Sequence, residues 1–90
     1  MKHLKEISEQ QIQKKIITKL EQEGYFVLKI IKANKNGYPD LIAVKNNITT
    51  FIEVKRPNGK LSELQKVRIQ ELKDKGINVK VWCDYDTDFK

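Results

Sequence analysis

Cysteine, histidine and glycine-rich runs are scarce in this chain, and each shortage removes a class of chemistry. The 90 residues include one cysteine, Cys83, so no internal disulfide can form, which fits a reducing compartment. Set in an apolar run, Cys83 reads as a small core residue rather than a nucleophile. The single histidine, His3, lies near the start of the sequence. It leaves no Cys/His cluster for zinc and no base for Ser8 or Ser62, so acyl transfer is unsupported. No glycine-rich phosphate loop is present. No apolar run approaches the ~20 residues of a membrane span, and MKHLKEISEQ lacks the apolar centre of a signal peptide. The expectation is a cytoplasmic protein with no membrane partner.

What is plentiful is positive charge. Eighteen Lys and Arg stand against twelve Asp and Glu, a net charge of +6. That balance suits a polyanion such as nucleic acid, although it is equally a solvated basic surface. Ninety residues predict one domain over 1–90, with its core in about 8–83.

The pattern predicts the order αβββαβ. Over 8–23, Ile12, Ile16, Ile17 and Leu20 recur at helical spacing behind Ser8 as N-cap. Gly24 closes that helix, and YFVLKII (25–31) reads as a strand. KANKNGY (32–38) is a basic turn segment, either a plain solvated loop or a phosphate-contacting rim that uses Lys32, Lys35 and Asn36. Strands over 39–45 and 48–55 follow, joined by Asn46-Asn47, a pair that tolerates the positive φ of a tight hairpin. RPNGK (56–60) is a second basic turn, with Arg56 and Lys60. Ser62-Glu63-Leu64-Gln65 matches a capping box and starts a helix over 62–75 that Gly76 ends. The last strand, 77–83, places Ile77, Val79, Val81 and Cys83 on one face, and the polar tail DYDTDFK is expected to fray.

The hairpin carries the chemistry. A two-residue turn pairs Lys45 with Ile48, Val44 with Thr49, Ile42 with Phe51 and, by continuation, Asp40 with Glu53. Opposed residues have Cβ atoms roughly 4.5–5.5 Å apart, and like charges there destabilise unless a cation compensates. Strand alternation adds Lys55 to the face of Glu53. Either this is a surface ion-pair ladder or it is a metal site, and Ile42, Val44 and Phe51 on the same face argue for partial cover. Glu9 lies in line with the buried stripe of the first helix, and Gln65 in line with that of the second. Each has an ordinary explanation as well, Glu9 as a complement to the helix dipole and Gln65 as a cap. Asp40, Glu53 and Glu9 offer hard oxygen donors suited to Mg²⁺ or Mn²⁺, with the Val54 carbonyl as a candidate further ligand. Such an ion polarises a phosphodiester, and Lys55 would orient the nucleophile and offset phosphate charge.

Pro39-Asp40 followed by Glu53-Val54-Lys55 resembles the PD-(D/E)xK nuclease superfamily. The finer likeness is to the VRR-NUC family of virus-type replication and repair nucleases. It rests on Gly37-Tyr38-Pro39-Asp40-Leu41-Ile42, Ile52-Glu53-Val54-Lys55-Arg56-Pro57, Gly59-Lys60-Leu61-Ser62 and Gln65, with Glu9-Gln10-Gln11-Ile12 resembling the family's helix-one acid. The likeness spans about 8–81. It implies a restriction-endonuclease-like α/β core, a mixed four-stranded sheet flanked by helices. It also implies a Mg²⁺- or Mn²⁺-dependent DNA endonuclease of phage or bacterial repair, in the host cytoplasm. In that reading Asp40 and Glu53 are ligands, Lys55 is the catalytic lysine, and Glu9 and Gln65 are site residues. The family is associated with branched DNA such as four-way junctions and with homodimers. Alternative readings are a nuclease for flaps, single strands or unspecific duplex, or a nucleic-acid-binding module without catalysis.

Overall fold

In the computed structural model the described residues are 8–56 and 59–83. The sequence readings for His3, Pro57, Asn58 and the tail 84–90 lie outside them, as does that for the Cys83 side chain. Helix α1 spans Glu9–Gln22. Its start is a full capping box: the Gln11 amide donates to Ser8 Oγ at 3.1 Å, and the Ser8 amide donates to Gln11 Oε1 at 2.9 Å. Gly24, at φ +91, takes the chain out of the helix.

Strand β1 covers Phe26–Lys29, shorter at both ends than the sequence predicts. At one end the Tyr25 amide is occupied by the Leu20 carbonyl at 3.0 Å, so this residue caps α1 instead of joining the sheet. At the other, Ile30 donates to the Asp40 carbonyl at 2.7 Å and the chain then leaves the ladder.

Strands β2 (Leu41–Lys45) and β3 (Ile48–Lys55) form the expected hairpin. Asn46 and Asn47 have φ 53 and 66, the two positive values that a twist-matched two-residue turn requires. Lys45↔Ile48, Val44↔Thr49 and Ile42↔Phe51 pair as predicted. The ladder ends at Leu41↔Ile52, one pair short of Asp40 and Glu53, and the Asp40 amide donates to the Ile52 carbonyl at 3.1 Å. The strand therefore starts at Leu41 rather than at 39, and Asp40 turns out of it.

Helix α2 spans Glu63–Asp74 behind the predicted Ser62–Gln65 box, and β4 (Asn78–Cys83) runs parallel to β3. The sheet order is β1-β2-β3-β4, antiparallel except for the last pair.

Alternation along this sheet gives each helix a different face. Leu41, Ala43, Ile52 and Val54 are buried against Ile12, Ile16 and Leu20 of α1. Trp82 joins that core and is 3% exposed. Val79 and Val81 share the other face of β4, as the pattern predicts. Val79 is buried on the opposite side, but Val81, which the pattern placed in the same apolar row, is 41% exposed. β4 thus places its largest side chain, Trp82, on the face that α1 covers. The expected consequence is asymmetric: Trp82→Ala lowers the unfolding free energy by about 3–5 kcal/mol, whereas Val81→Ala changes it by about 0.5 kcal/mol or less. Urea denaturation of the two variants measures both.

Candidate active site

The acids meet where the hairpin ladder stops. Leaving the strand at Asp40 lets its carboxylate accept from the Val54 amide, at 3.4 Å, and lie beside Glu53. Glu53 is 1% exposed, on the face of β3 opposite α1. Burial, reinforced by the neighbouring Asp40 carboxylate and opposed by Lys55, pushes the Glu53 carboxyl up to about 8.

Two cationic or amide donors converge on one oxygen of Glu53. Gln65 Nε2 donates to Oε2 at 3.3 Å, and Lys55 Nζ lies 3.9 Å from the same atom. Oε1 is buried with no hydrogen-bond partner. Leaving that oxygen charged and bare is costly, and either the proton that the raised carboxyl retains beside Asp40 or a cation held against it resolves the cost. This is the structural test of the divalent ion, and the donors present fit: two carboxylates suit a hard ion that keeps most of its own waters.

Gln65 reaches the site because of its place in the capping box. Its Oε1 accepts from the Ser62 amide at 2.9 Å while its Nε2 turns to Glu53. Glu9, in the first turn of α1, is half-buried, and its Oε2 lies 4.0 Å from Lys55 Nζ. The lysine is thus flanked by Glu9 and Glu53. Among the described residues, no three Asp, Glu, His or Cys side chains gather as a ready metal cluster, so Glu9 is placed with Lys55 rather than with the two acids. Val54 is fully buried, with its amide committed to Asp40.

Of the candidate nucleic-acid contacts, Lys32, Lys35 and Asn36 line a cavity with Asp40, and all three are exposed. Arg56 and Lys60 are exposed beyond the end of β3. One group escaped the sequence reading. Arg68 and Glu71 on α2 hold Tyr38, and Arg68 Nε also donates to the Asn36 carbonyl at 2.9 Å. The i, i+3 spacing of Arg68 and Glu71 signals an ion pair, but nothing local links it to a loop thirty residues earlier. Gln13, one turn beyond Glu9, is also buried, which a polar residue between Ile12 and Ile16 does not announce.

A mixed sheet with one helix on each face, and an Asp/Glu/Lys group at the end of its central hairpin, defines a restriction-endonuclease-like nuclease fold. The VRR-NUC domain model matches residues 2–83, and the chain belongs to that family. A solved structure described as a VRR_NUC domain is similar at 28% identity and a TM-score of 0.77, over 86% of this chain and 85% of that one. No curated protein matches.

The raised Glu53 carboxyl links stability to pH. Between about 4.5 and about 8 the folded protein holds a proton on Glu53 that the unfolded chain has released, so stability falls as pH rises through that window. In chelator, the urea midpoint of the wild type is expected to drop from pH 5 to pH 8 more steeply than that of Glu53→Gln. Parallel profiles for the two proteins would remove Glu53 as the buried titrating group.

Proposed function

We propose that this nuclease-family chain is a Mg²⁺- or Mn²⁺-dependent DNA endonuclease that hydrolyses phosphodiester bonds in branched DNA. The observation that carries the reading is Glu53, buried beside Asp40 with one oxygen held by Gln65 and Lys55 and the other without a partner. Asp40, Glu53 and the Val54 carbonyl would hold the ion. When bound it supplies Lewis acidity and neutralises charge on the phosphodiester.

The chain's own residues do the rest. Gln65 fixes the Glu53 carboxylate through Oε2 and leaves Oε1 as the open donor. Lys55, held between Glu53 and Glu9, presents a buried ammonium that orients the attacking water and offsets phosphate charge as it builds. Glu9 acts through Lys55 as a positioning residue. Lys32, Lys35, Asn36, Arg56 and Lys60 serve the DNA backbone, so affinity falls as salt rises.

A homodimer is part of the proposal, because cutting a two-fold branched substrate symmetrically calls for two sites related by a two-fold axis. In support, α2 lies over β4 and leaves the β1–β2 side of that face open. Phe26 there is 62% exposed, in register with half-buried Val44.

Calorimetric titration with Mg²⁺ or Mn²⁺ is expected to show binding that Asp40→Ala and Glu53→Ala each abolish; retained binding in both variants would sink the site. Lys55→Ala is expected to slow cleavage by about 10²–10³-fold with DNA binding kept. An equal rate would favour a binding module without catalysis. Cleavage of labelled junction, flap, single-strand and duplex substrates ranks the DNA structures. For the dimer, sedimentation velocity of Phe26→Asp should give the monomer where the wild type gives the dimer.

A further inference from the structure

Residues of the segment 30–40, Asn34 apart, line an open-mouthed cavity of about 300 Å³ that ends at Asp40. Three kinds of surface line it. Ile31, Ala33 and Tyr38 are apolar or aromatic, Lys32 and Lys35 are cationic, and Asp40 is the acid shared with the active site. Ile31 is 83% exposed, a large aliphatic side chain left in water next to lysine.

The cavity wall is held from outside. Tyr38 donates its hydroxyl proton to Glu71 Oε1 at 3.0 Å, and Arg68 lies over the Tyr38 ring, 5.2 Å from its centre. Arg68 also binds the Asn36 carbonyl and, through Nη1, Glu71 Oε2 at 3.1 Å. Gly37 sits so close to α2 that a Cβ there would come 2.7 Å from Leu64 Cγ, and its φ of +90 excludes most side chains in any case. Segment 36–38 is therefore clamped to α2 before any ligand arrives.

We propose that this cavity is a subsite for one unpaired nucleotide of the DNA strand, next to the phosphodiester held at Asp40 and Glu53. The inference rests on the nuclease reading of that site. At about 300 Å³ the cavity lies at the lower end of the roughly 300–1,000 Å³ of ligand pockets, room for one nucleotide rather than a stacked pair. Asp40 repels a free phosphate, so the base enters the cavity while Lys32 and Lys35 take the phosphates on its two sides. In duplex DNA the base faces are already stacked on their neighbours. Only an unstacked base can offer its face to Ile31 and Tyr38, and one such stack is worth roughly 5- to 150-fold in affinity whatever the base. Extracting a paired base consumes that gain, whereas a base at a branch point or in a single strand keeps it. The cavity thus selects DNA with an unpaired nucleotide beside the cut. Arg68 and Glu71 act as positioning residues, through Tyr38 and Asn36.

The test uses the full chain with Ca²⁺ and a single-stranded oligonucleotide carrying 2-aminopurine at successive positions, alone or annealed to its complement. The expected result is a fluorescence change confined to one position in the single strand and absent in the duplex. Ala33→Trp, a cavity-filling change at an exposed residue, should erase that change and weaken single-strand binding about tenfold. Arg68→Gln should blur it across several positions. Calorimetric binding of Mn²⁺ to Ala33→Trp should match the wild type. A signal uniform along the strand, or one that Ala33→Trp leaves intact, overturns the subsite while Mn²⁺ binding and cleavage keep the nuclease reading. Loss of Mn²⁺ binding in the wild type itself overturns both.

Discussion

Two carboxyl groups lie side by side at the end of a hairpin, one of them sealed from water, and such an arrangement has to be compensated on every side. Glu53 sits on a strand whose other face is the α1 core, so it has no room to swing toward solvent. Asp40 leaves the β2–β3 ladder one residue before it would pair with Glu53, and its carboxylate, still beside Glu53, accepts from the Val54 amide. Lys55, two residues further along β3, supplies the nearest positive charge through the strand's own alternation. The proton retained on Glu53 supplies the remainder. Position in the fold, charge and protonation are thus different expressions of one burial.

Gln65 shows how closely the helix start and the site are joined. Capping and site membership look like rival explanations of this residue in the sequence, yet a single amide serves both, its oxygen on the Ser62 amide and its nitrogen on Glu53. Because the capping box sets the side chain's direction, the α2 N-terminus is tied to the end of β3. The glutamine is then more than an auxiliary: a residue of the same length without both a donor and an acceptor would have to give up one of the two bonds.

Much of this was legible in the sequence, and the reason is locality. Asn46-Asn47, the Ser62–Gln65 box and the helix-ending Gly24 and Gly76 are decided by residues within four positions of one another, and each lies where the pattern puts it. The pairs Val44↔Thr49 and Ile42↔Phe51 follow from counting outward from the turn. What was not legible depended on competition between distant partners. Tyr25 has strand character, but its amide is claimed by Leu20. Trp82 enters the core because α1 covers its face of the sheet, a contact between elements about sixty residues apart. Glu9 is in line with the stripe of α1, as its spacing implied, but it meets Lys55 before it meets the acids. The clamp of Arg68 and Glu71 on Tyr38 joins residues about thirty positions apart and leaves no periodic trace.

The charge distribution sets long range against short. The chain as a whole carries +6 and draws a polyanion in over distances of about a Debye length, ~8 Å at physiological salt. At the centre the sign reverses: Glu53 and Glu9 flank a single ammonium, Lys55, and Asp40 lies beside Glu53. With one proton on Glu53, two negative charges still face one positive charge, so a phosphate brought close by the basic loops is repelled over the last few ångströms. In the proposed function a divalent cation would displace that proton: the three carboxylates would then be met by three positive charges, two from the ion and one from Lys55, and the net negative charge would be cancelled. Neither Lys55 nor the ion alone balances three carboxylates. The basic surface therefore favours DNA whether or not an ion is present, while in the proposed function the acids would cease to repel a phosphate only with it, so that the charge of the same few residues would separate binding from cutting.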